Sequence, residues 1–97
     1  MEKVTAQELK KKINEVFVLD VREKDEYDQG HIAGAVNIPL GKLIRDGGYG
    51  VPYNKEVIVH CRSGHRSMIA VQFLEEIGFR NVKNLDGGYN MWEIVNS

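Results

Sequence analysis

The chain has 97 residues, 42% hydrophobic and 28% charged, a balance typical of one small folded domain over residues 1–97. Thirteen basic and fourteen acidic side chains leave a formal net charge of −1, which argues against nucleic acid or an acidic membrane as a partner. No signal peptide or apolar run of membrane-spanning length is visible, and the single cysteine cannot form an internal disulfide. We therefore expect a cytoplasmic location, with a monomer as the default oligomeric state.

The first half of the chain alternates between helix and strand patterns. Thr5 followed by Glu8 has the pattern of a capping box, which predicts the start of a helix. The short, mostly apolar run over residues 16–21 predicts a buried strand. Further short elements are predicted in the order helix, strand and helix, over residues 23–28, 35–38 and 40–45.

The second half contains the clearest strand, Val57–His60, which leads directly into Cys61. Apolar residues then recur at the spacing of one helix face, and we expect that face to be buried. These residues are Ile69, Ala70, Phe73, Leu74 and Ile77. Gly78 predicts the end of this helix, and residues 82–85 predict a last strand. The turn at residues 86–88 then leads into a last helix that bears Met91, Trp92 and Val95. Strands that alternate with helices indicate an α/β fold with a parallel sheet.

The candidate chemistry is concentrated between the clearest strand and the next helix. The strand places Cys61 at the carboxyl edge of the sheet, where open α/β proteins bind ligands. The helix begins near Arg66, so its free backbone N–H groups and its dipole should favour a thiolate over a thiol. Gly64 permits a tight loop around the sulfur. A cysteine that merely fills space is the simpler reading, but these neighbours favour a nucleophilic or redox cysteine.

The histidines are weaker candidates than the cysteine. His60 precedes Cys61 on the strand and should point to the opposite face, which favours a structural role over a Cys–His pair. His65 lies in the loop, as an exposed residue or as an electrostatic aid. One cysteine and three scattered histidines lack the spacing of metal ligands, so no metal and no cofactor are expected.

Four segments resemble the single-domain rhodaneses, which are thiosulfate or persulfide sulfurtransferases. The segment at residues 61–67, Cys-Arg-Ser-Gly-His-Arg-Ser, resembles the active-site loop of that family. Residues 20–23 follow the early strand as in the family, and residues 26–39 resemble its second signature. Residues 78–92 resemble its C-terminal pattern. The resemblance extends from about Thr5 to Trp92, with every motif in order.

This resemblance implies a rhodanese-like fold, with a five-stranded parallel sheet flanked by helices on both faces. It also implies that Cys61 takes a sulfane sulfur from thiosulfate or another donor and holds it as a persulfide. Cyanide, a small thiol or a protein thiol then accepts the sulfur. The loop provides six backbone amides and two guanidinium groups. The implied substrate-binding residues are Arg62, Ser63, Gly64, His65, Arg66 and Ser67. Asp20, Arg22 and His31 are expected to support the fold around the site.

Other functions remain open at this stage. Cysteine phosphatases on related folds have five residues between cysteine and arginine, whereas four separate Cys61 from Arg66, and the shorter loop suits a single sulfur better than a phosphoryl group. A non-catalytic rhodanese-like binding module commonly lacks the cysteine that this chain retains. A redox sensor would need an external thiol, because no second cysteine is present.

Overall fold

The computed structural model describes residues 1–97 and contains one five-stranded parallel sheet, which confirms the predicted α/β fold. The strands are β1 (Lys3–Val4), β2 (Phe17–Asp20), β3 (Val36–Asn37), β4 (Val57–His60) and β5 (Val82–Leu85). The helices are α1 (Ala6–Lys12), α2 (Lys24–Gln29), α3 (Leu40–Arg45), α4 (His65–Glu76) and α5 (Gly88–Val95). None of these helices is long and apolar enough to cross a membrane.

The strand order is β1-β5-β4-β2-β3, and every neighbouring pair is parallel. After β2 the chain adds β3 on one side of the sheet, whereas after β4 it adds β5 on the other side. The connections that leave β2 and β4 therefore diverge at their carboxyl ends. In open parallel sheets this reversal creates the crevice in which ligands bind.

Local sequence signals explain where several helices begin and end. The Thr5 N–H donates to Glu8 Oε1 over 2.8 Å, and the Glu8 N–H donates to Thr5 Oγ1 over 3.1 Å, so the predicted capping box is confirmed. At the end of α4, Gly78 has a φ of 106°, and the N–H of Phe79 donates to the Leu74 carbonyl over 2.9 Å. This confirms the predicted helix stop.

The sheet separates two apolar layers. Val57, Val59 and Cys61 face the layer that packs against α3 and α4, whereas Ile58 faces the layer that packs against α1 and α5. All four residues are almost completely buried, because both faces of a parallel sheet are covered by helices. The alternation along β4 therefore places Cys61 and His60 on opposite faces of the sheet.

The predicted buried face of α4 is confirmed for Ala70 and Leu74, and Phe73 packs partly buried against the core, but the prediction is wrong for Ile69 and Ile77. Ile69 and Ile77 are 39% and 37% exposed. The buried side chains are Ser67, Ala70, Val71 and Leu74. They have the spacing of one helix face, but that face begins with a polar serine. The spacing of apolar residues could not reveal this face, because Ser67 is polar and is buried through its contacts with Cys61 and with Asn84 of β5.

Strand β1, which has two residues as β3 does, was not predicted from the local sequence pattern. Lys3 and Val4 pair with Asn84 and Leu85 of β5 at the edge of the sheet. Two residues are too few to show the alternation that identifies a strand. Lys3 and Val4 form a strand only because they pair with β5, which is distant in sequence.

Candidate active site

The cysteine loop lies at the carboxyl edge of the sheet, in the crevice between β2 and β4. β4 ends at His60, Cys61 follows at once, and α4 begins at His65. The segment after β2 turns into α2, whose Glu26 side chain reaches the loop. The site is thus built from two strand-to-helix connections that lie far apart in sequence.

Backbone amides point at the Cys61 sulfur. The N–H of Gly64 donates to Sγ over 3.1 Å, and the N–H of Ser67 donates to it over 3.4 Å. Gly64 has a φ of 125°, a value that side chains disfavour, and this conformation lets the loop curl around the sulfur. Cys61 is only 2% exposed, so little of its surface is open to a reactant.

Opposing effects act on the pKa of the Cys61 thiol. Burial is the largest, and it raises the pKa because it disfavours the charged thiolate. The Ser67 hydroxyl, followed by the amides of Ser67, Gly64 and Ser63, lowers the pKa by hydrogen bonding to the thiolate. The combined hydrogen bonds outweigh burial, and the pKa lies below its ordinary value. The loop therefore favours a nucleophilic thiolate.

Ser67 connects the sulfur to β5 through Asn84, a residue that the sequence did not identify. Ser67 Oγ lies 3.5 Å from Cys61 Sγ, 2.6 Å from Asn84 Oδ1 and 3.0 Å from the Gly64 carbonyl oxygen. A hydroxyl carries one proton, so the thiolate competes with these two oxygens for it. Asn84 follows Ser67 by 17 positions, and no local pattern links the two residues.

Glu26 is a second missed residue, and it binds the arginines of the loop. Arg66 donates two hydrogen bonds to its carboxylate, at 2.7 and 3.0 Å, and Arg62 Nε lies 3.5 Å from Oε2. The Arg66 hydrogen bond, opposed by partial burial, lowers the pKa of Glu26 to about 2. Arg66 is therefore held by Glu26, whereas Arg62 has only one longer contact and stays half-exposed.

The remaining loop residues lie on its outer side. Ser63 and His65 are exposed, and together with Gly64 they line a cavity of about 330 Å³ next to the loop. The Ser63 amide is the smallest of the hydrogen-bonding effects that lower the Cys61 pKa, whereas the His65 side chain forms no hydrogen bond. All six predicted loop residues thus lie close to Cys61, but only Gly64 and Ser67 contact its sulfur.

The amino end of α5 holds the start of the loop. The N–H of Tyr89 donates to the Cys61 carbonyl over 2.8 Å, and the N–H of Asn90 donates to the Arg62 carbonyl over 3.0 Å. A Cβ atom at Gly88 would lie 2.6 Å from both of these carbonyl oxygens. Only glycine permits this close approach.

Asp20 and Arg22 form a buried ion pair beneath the site. Arg22 Nη2 lies 2.8 Å from Asp20 Oδ2, and Nε donates to both carboxylate oxygens at 3.0 and 3.1 Å. Arg22 Nη2 also donates to the Gly30 carbonyl over 2.8 Å, and the guanidinium lies 4.4 Å from the ring centre of Tyr89. The pair therefore joins β2 to the end of α2 and the start of α5.

His60 does not contact the Cys61 sulfur. Its Nδ1 lies 3.2 Å from the Cys61 carbonyl oxygen, and its Nε2 lies 3.6 Å from Asp20 Oδ2 without a hydrogen bond. Burial lowers the pKa of His60, against the opposing attraction of Asp20, so the neutral form is favoured. These positions argue against a Cys–His catalytic pair.

His31 lies at the turn after α2, away from the sulfur. Its Nδ1 is 2.9 Å from the Tyr27 carbonyl oxygen, and its ring stacks on the Tyr27 ring at a centroid distance of 3.7 Å. Tyr27 in turn donates its hydroxyl to the Ala35 carbonyl over 2.7 Å. No group of three or more His, Cys, Asp or Glu side chains converges closely enough to hold a metal ion.

A buried cysteine whose sulfur accepts hydrogen bonds from the amides of Gly64 and Ser67 agrees with the family comparison. Residues 5–94 match the family described as Rhodanese-like domain. The chain belongs to the rhodanese family. This assignment confirms the resemblance seen in the sequence motifs and includes the whole candidate site.

Relatives of this rhodanese include enzymes and solved structures of similar length. It is 38% identical over 90 residues to the thiosulfate sulfurtransferase GlpE of Coxiella burnetii, and the match covers 91% of this chain and 80% of GlpE. A rhodanese-related protein from Thermoplasma volcanium superposes with a TM-score of 0.91 and 35% identity, covering 98% of this chain and 93% of that protein. The human single-domain sulfurtransferase TSTD1 shares the fold, with a TM-score of 0.90 at 24% identity over 100% of this chain and 99% of that protein.

Other curated relatives are longer than this rhodanese chain. It spans 61%, 40% and 20% of the lengths of three of them, from Schizosaccharomyces pombe, Bacillus subtilis and Ogataea parapolymorpha. The family is therefore found both in short proteins and as one part of larger ones.

Proposed function

We propose that this protein is a sulfurtransferase that carries a sulfane sulfur on Cys61. In the first step the thiolate attacks the outer sulfur of thiosulfate, a new S–S bond forms, and the S–S bond of the donor breaks. Sulfite leaves with the electron pair, and Cys61 becomes an anionic persulfide. Charge is conserved, and no oxidant or cofactor is required.

The observation that carries this proposal is the arrangement of amides around the sulfur. The Gly64 and Ser67 N–H groups already donate to Sγ at 3.1 and 3.4 Å. Amides in this position stabilise negative charge on a sulfur atom without any movement during the reaction. In the persulfide anion the charge lies on the outer sulfur, about 2 Å from Sγ, and we propose that the loop amides stabilise it there.

In the second step an acceptor thiolate or cyanide attacks the outer sulfur of the persulfide. The S–S bond to Cys61 breaks, its electron pair returns to Cys61 as thiolate, and the product is an alkyl persulfide or thiocyanate. A small thiol or a protein thiol fits this step as well as cyanide does. The physiological donor is proposed to be a small anion such as thiosulfate.

Among the arginines, Arg62 is the better candidate to bind the donor anion. Its side chain is 48% exposed and makes a single contact of 3.5 Å with Glu26, so it can turn towards an anion at low cost. Arg66 would first have to break two hydrogen bonds to Glu26. We assign Arg66 to holding the loop, and Asp20, Arg22 and His31 to structural support.

The direct test is mass spectrometry of the protein after incubation with thiosulfate. We expect one added sulfur atom on the peptide that contains Cys61, and its loss when cyanide is added. Cys61→Ser is the matched control, because it keeps the size and removes the thiol. An unmodified Cys61 peptide, or cyanide-dependent sulfur transfer that survives in Cys61→Ser, would contradict the mechanism.

The same experiment, together with an assay on an aryl phosphate, separates the alternatives that the sequence left open. A non-catalytic binding module would fold normally yet form no adduct. A phosphatase would turn over an aryl phosphate, which the short interval from Cys61 to Arg66 disfavours. We further propose that residues 1–97 act as one domain, as a monomer in a reducing compartment such as the cytoplasm, where the lone thiol stays free.

A further inference from the structure

A small polar cleft lies beside the cysteine loop. Its volume is about 170 Å³, and its lining includes Arg22, Gln29, Gly30, Arg62, Tyr89 and Glu93. Arg62 directly follows Cys61 in the chain, and Glu26 of the lining binds Arg66 of the loop, so the cleft lies beside the cysteine loop. A volume equal to about six water molecules, at about 30 Å³ each, suits a molecule the size of cysteine.

Two of the charges that line this cleft are already neutralised within the protein. Arg22 is buried in its ion pair with Asp20. Glu26, which also lines the cleft, accepts two hydrogen bonds from Arg66. Neither group can bind a ligand ion without losing a strong internal partner.

The other two charges are available. Arg62 is half-exposed and has one contact at 3.5 Å, and Glu93 is exposed and takes part in no ion pair. Both groups line the same cleft, yet they are not within 4.0 Å of each other. A cation and an anion that face one cleft across a gap are complementary to a molecule that carries both charges.

We propose that this cleft binds the zwitterionic head of a small amino-acid thiol, such as cysteine, which acts as the sulfur acceptor. The carboxylate would lie against Arg62 and the ammonium against Glu93. The thiol, as its thiolate after losing a proton to solvent, attacks the outer sulfur of the Cys61 persulfide. The S–S bond to Cys61 then breaks, and the amino acid leaves as its persulfide. This inference rests on the proposed sulfurtransferase function.

The test uses the full chain loaded with sulfur by thiosulfate and freed of excess donor. Loss of the Cys61 persulfide is followed by mass spectrometry against increasing concentrations of four thiols. Cysteine carries both charges, cysteamine only the ammonium, 3-mercaptopropionate only the carboxylate, and 2-mercaptoethanol neither. Wild type is compared with Glu93→Gln for each thiol, because the ratio of their rates cancels the intrinsic reactivity of the thiol.

We expect the wild-type-to-variant ratio for cysteine and cysteamine to exceed the ratio for 2-mercaptoethanol by about two- to fivefold, the range of one exposed ion pair. The ratio for 3-mercaptopropionate should match that for 2-mercaptoethanol. Glu75→Gln is the control, since it removes an exposed carboxylate near the far end of α4. Its ratios should be equal for all four thiols.

The outcomes separate this inference from the function on which it rests. Loading of Cys61 followed by equal Glu93→Gln ratios for all thiols would overturn the cleft assignment alone. If no sulfur donor loads Cys61, both the cleft assignment and the proposed sulfurtransferase function are overturned. Serine, which has the same head and no thiol, should slow the reaction with cysteine in wild type more than in Glu93→Gln, and equal inhibition would also contradict the assignment.

Discussion

Replacing Glu26 with glutamine removes the one negative charge that connects α2 to both arginines of the cysteine loop. The side chain keeps its size, so the change is mainly electrostatic. In the protein the carboxylate accepts hydrogen bonds of 2.7 and 3.0 Å from Arg66 and lies 3.5 Å from Arg62. We expect a lower free energy of unfolding at neutral pH.

The magnitude follows from the pKa of Glu26. The Arg66 hydrogen bond lowers that pKa to about 2 from 4.5. At about 1.36 kcal/mol per pH unit this sets an upper limit of about 3 kcal/mol. The side chains of Glu26 and Arg66 are 21% and 33% exposed, so solvent weakens the interaction. We expect about 1–2 kcal/mol at pH 7.

The stabilisation that the Glu26 carboxylate provides should decrease as the pH falls. A carboxylate with a lowered pKa stabilises the folded state fully above the unfolded pKa, and this contribution is lost as the pH falls towards the folded pKa. The window here extends from about pH 4.5 to about pH 2. By pH 3 the difference between wild type and Glu26→Gln should be less than about half of its value at pH 7.

The assay is urea denaturation of wild type, Glu26→Gln and Glu75→Gln at several pH values from 7 to 3. Glu75 is exposed and has no ion pair, so its variant reports the cost of losing a carboxylate as such. A Glu26→Gln variant that matches Glu75→Gln at pH 7 would refute the reasoning. A difference that stays constant down to pH 3 would show that the loss is not electrostatic.

Other substitutions test the buried contacts that shape the loop. Asp20→Asn leaves the Arg22 side chain, which is 1% exposed, without its carboxylate partner. The free energy of unfolding in urea should fall by about 3–5 kcal/mol, and a loss under about 1 kcal/mol would argue against a strong ion pair. Ser67→Ala removes the hydroxyl that lowers the Cys61 pKa, so alkylation of Cys61 by iodoacetamide should reach half its maximal rate at a higher pH. An unchanged midpoint would mean that the backbone amides alone lower the pKa. Gly88→Ala places a methyl group 2.6 Å from two loop carbonyls and should destabilise the protein in thermal unfolding, whereas Gly41→Ala, with open space around it, should not.

Much of the fold follows from signals within a few residues. The capping box at Thr5 and Glu8, the helix stop at Gly78 and the strand Val57–His60 all appear in the structure as the sequence predicts. The cysteine loop is also a local feature, because its curl depends on Gly64 and on the helix that follows directly. Residues that are neighbours in the chain interact with little loss of chain entropy, so their pattern is readable.

Other features of the site depend on residues that are distant in sequence. Glu26 reaches Arg66 across 40 positions, and Asn84 reaches Ser67 across 17. β1 exists only because β5 pairs with it, and the buried face of α4 begins at Ser67 because Cys61 and Asn84 lie beneath it. The sequence by itself determined which residue can be the nucleophile and which short elements surround it. Tertiary structure decided which arginine stays free and which polar groups are buried, because parallel strands bring separate connections together at one edge of the sheet.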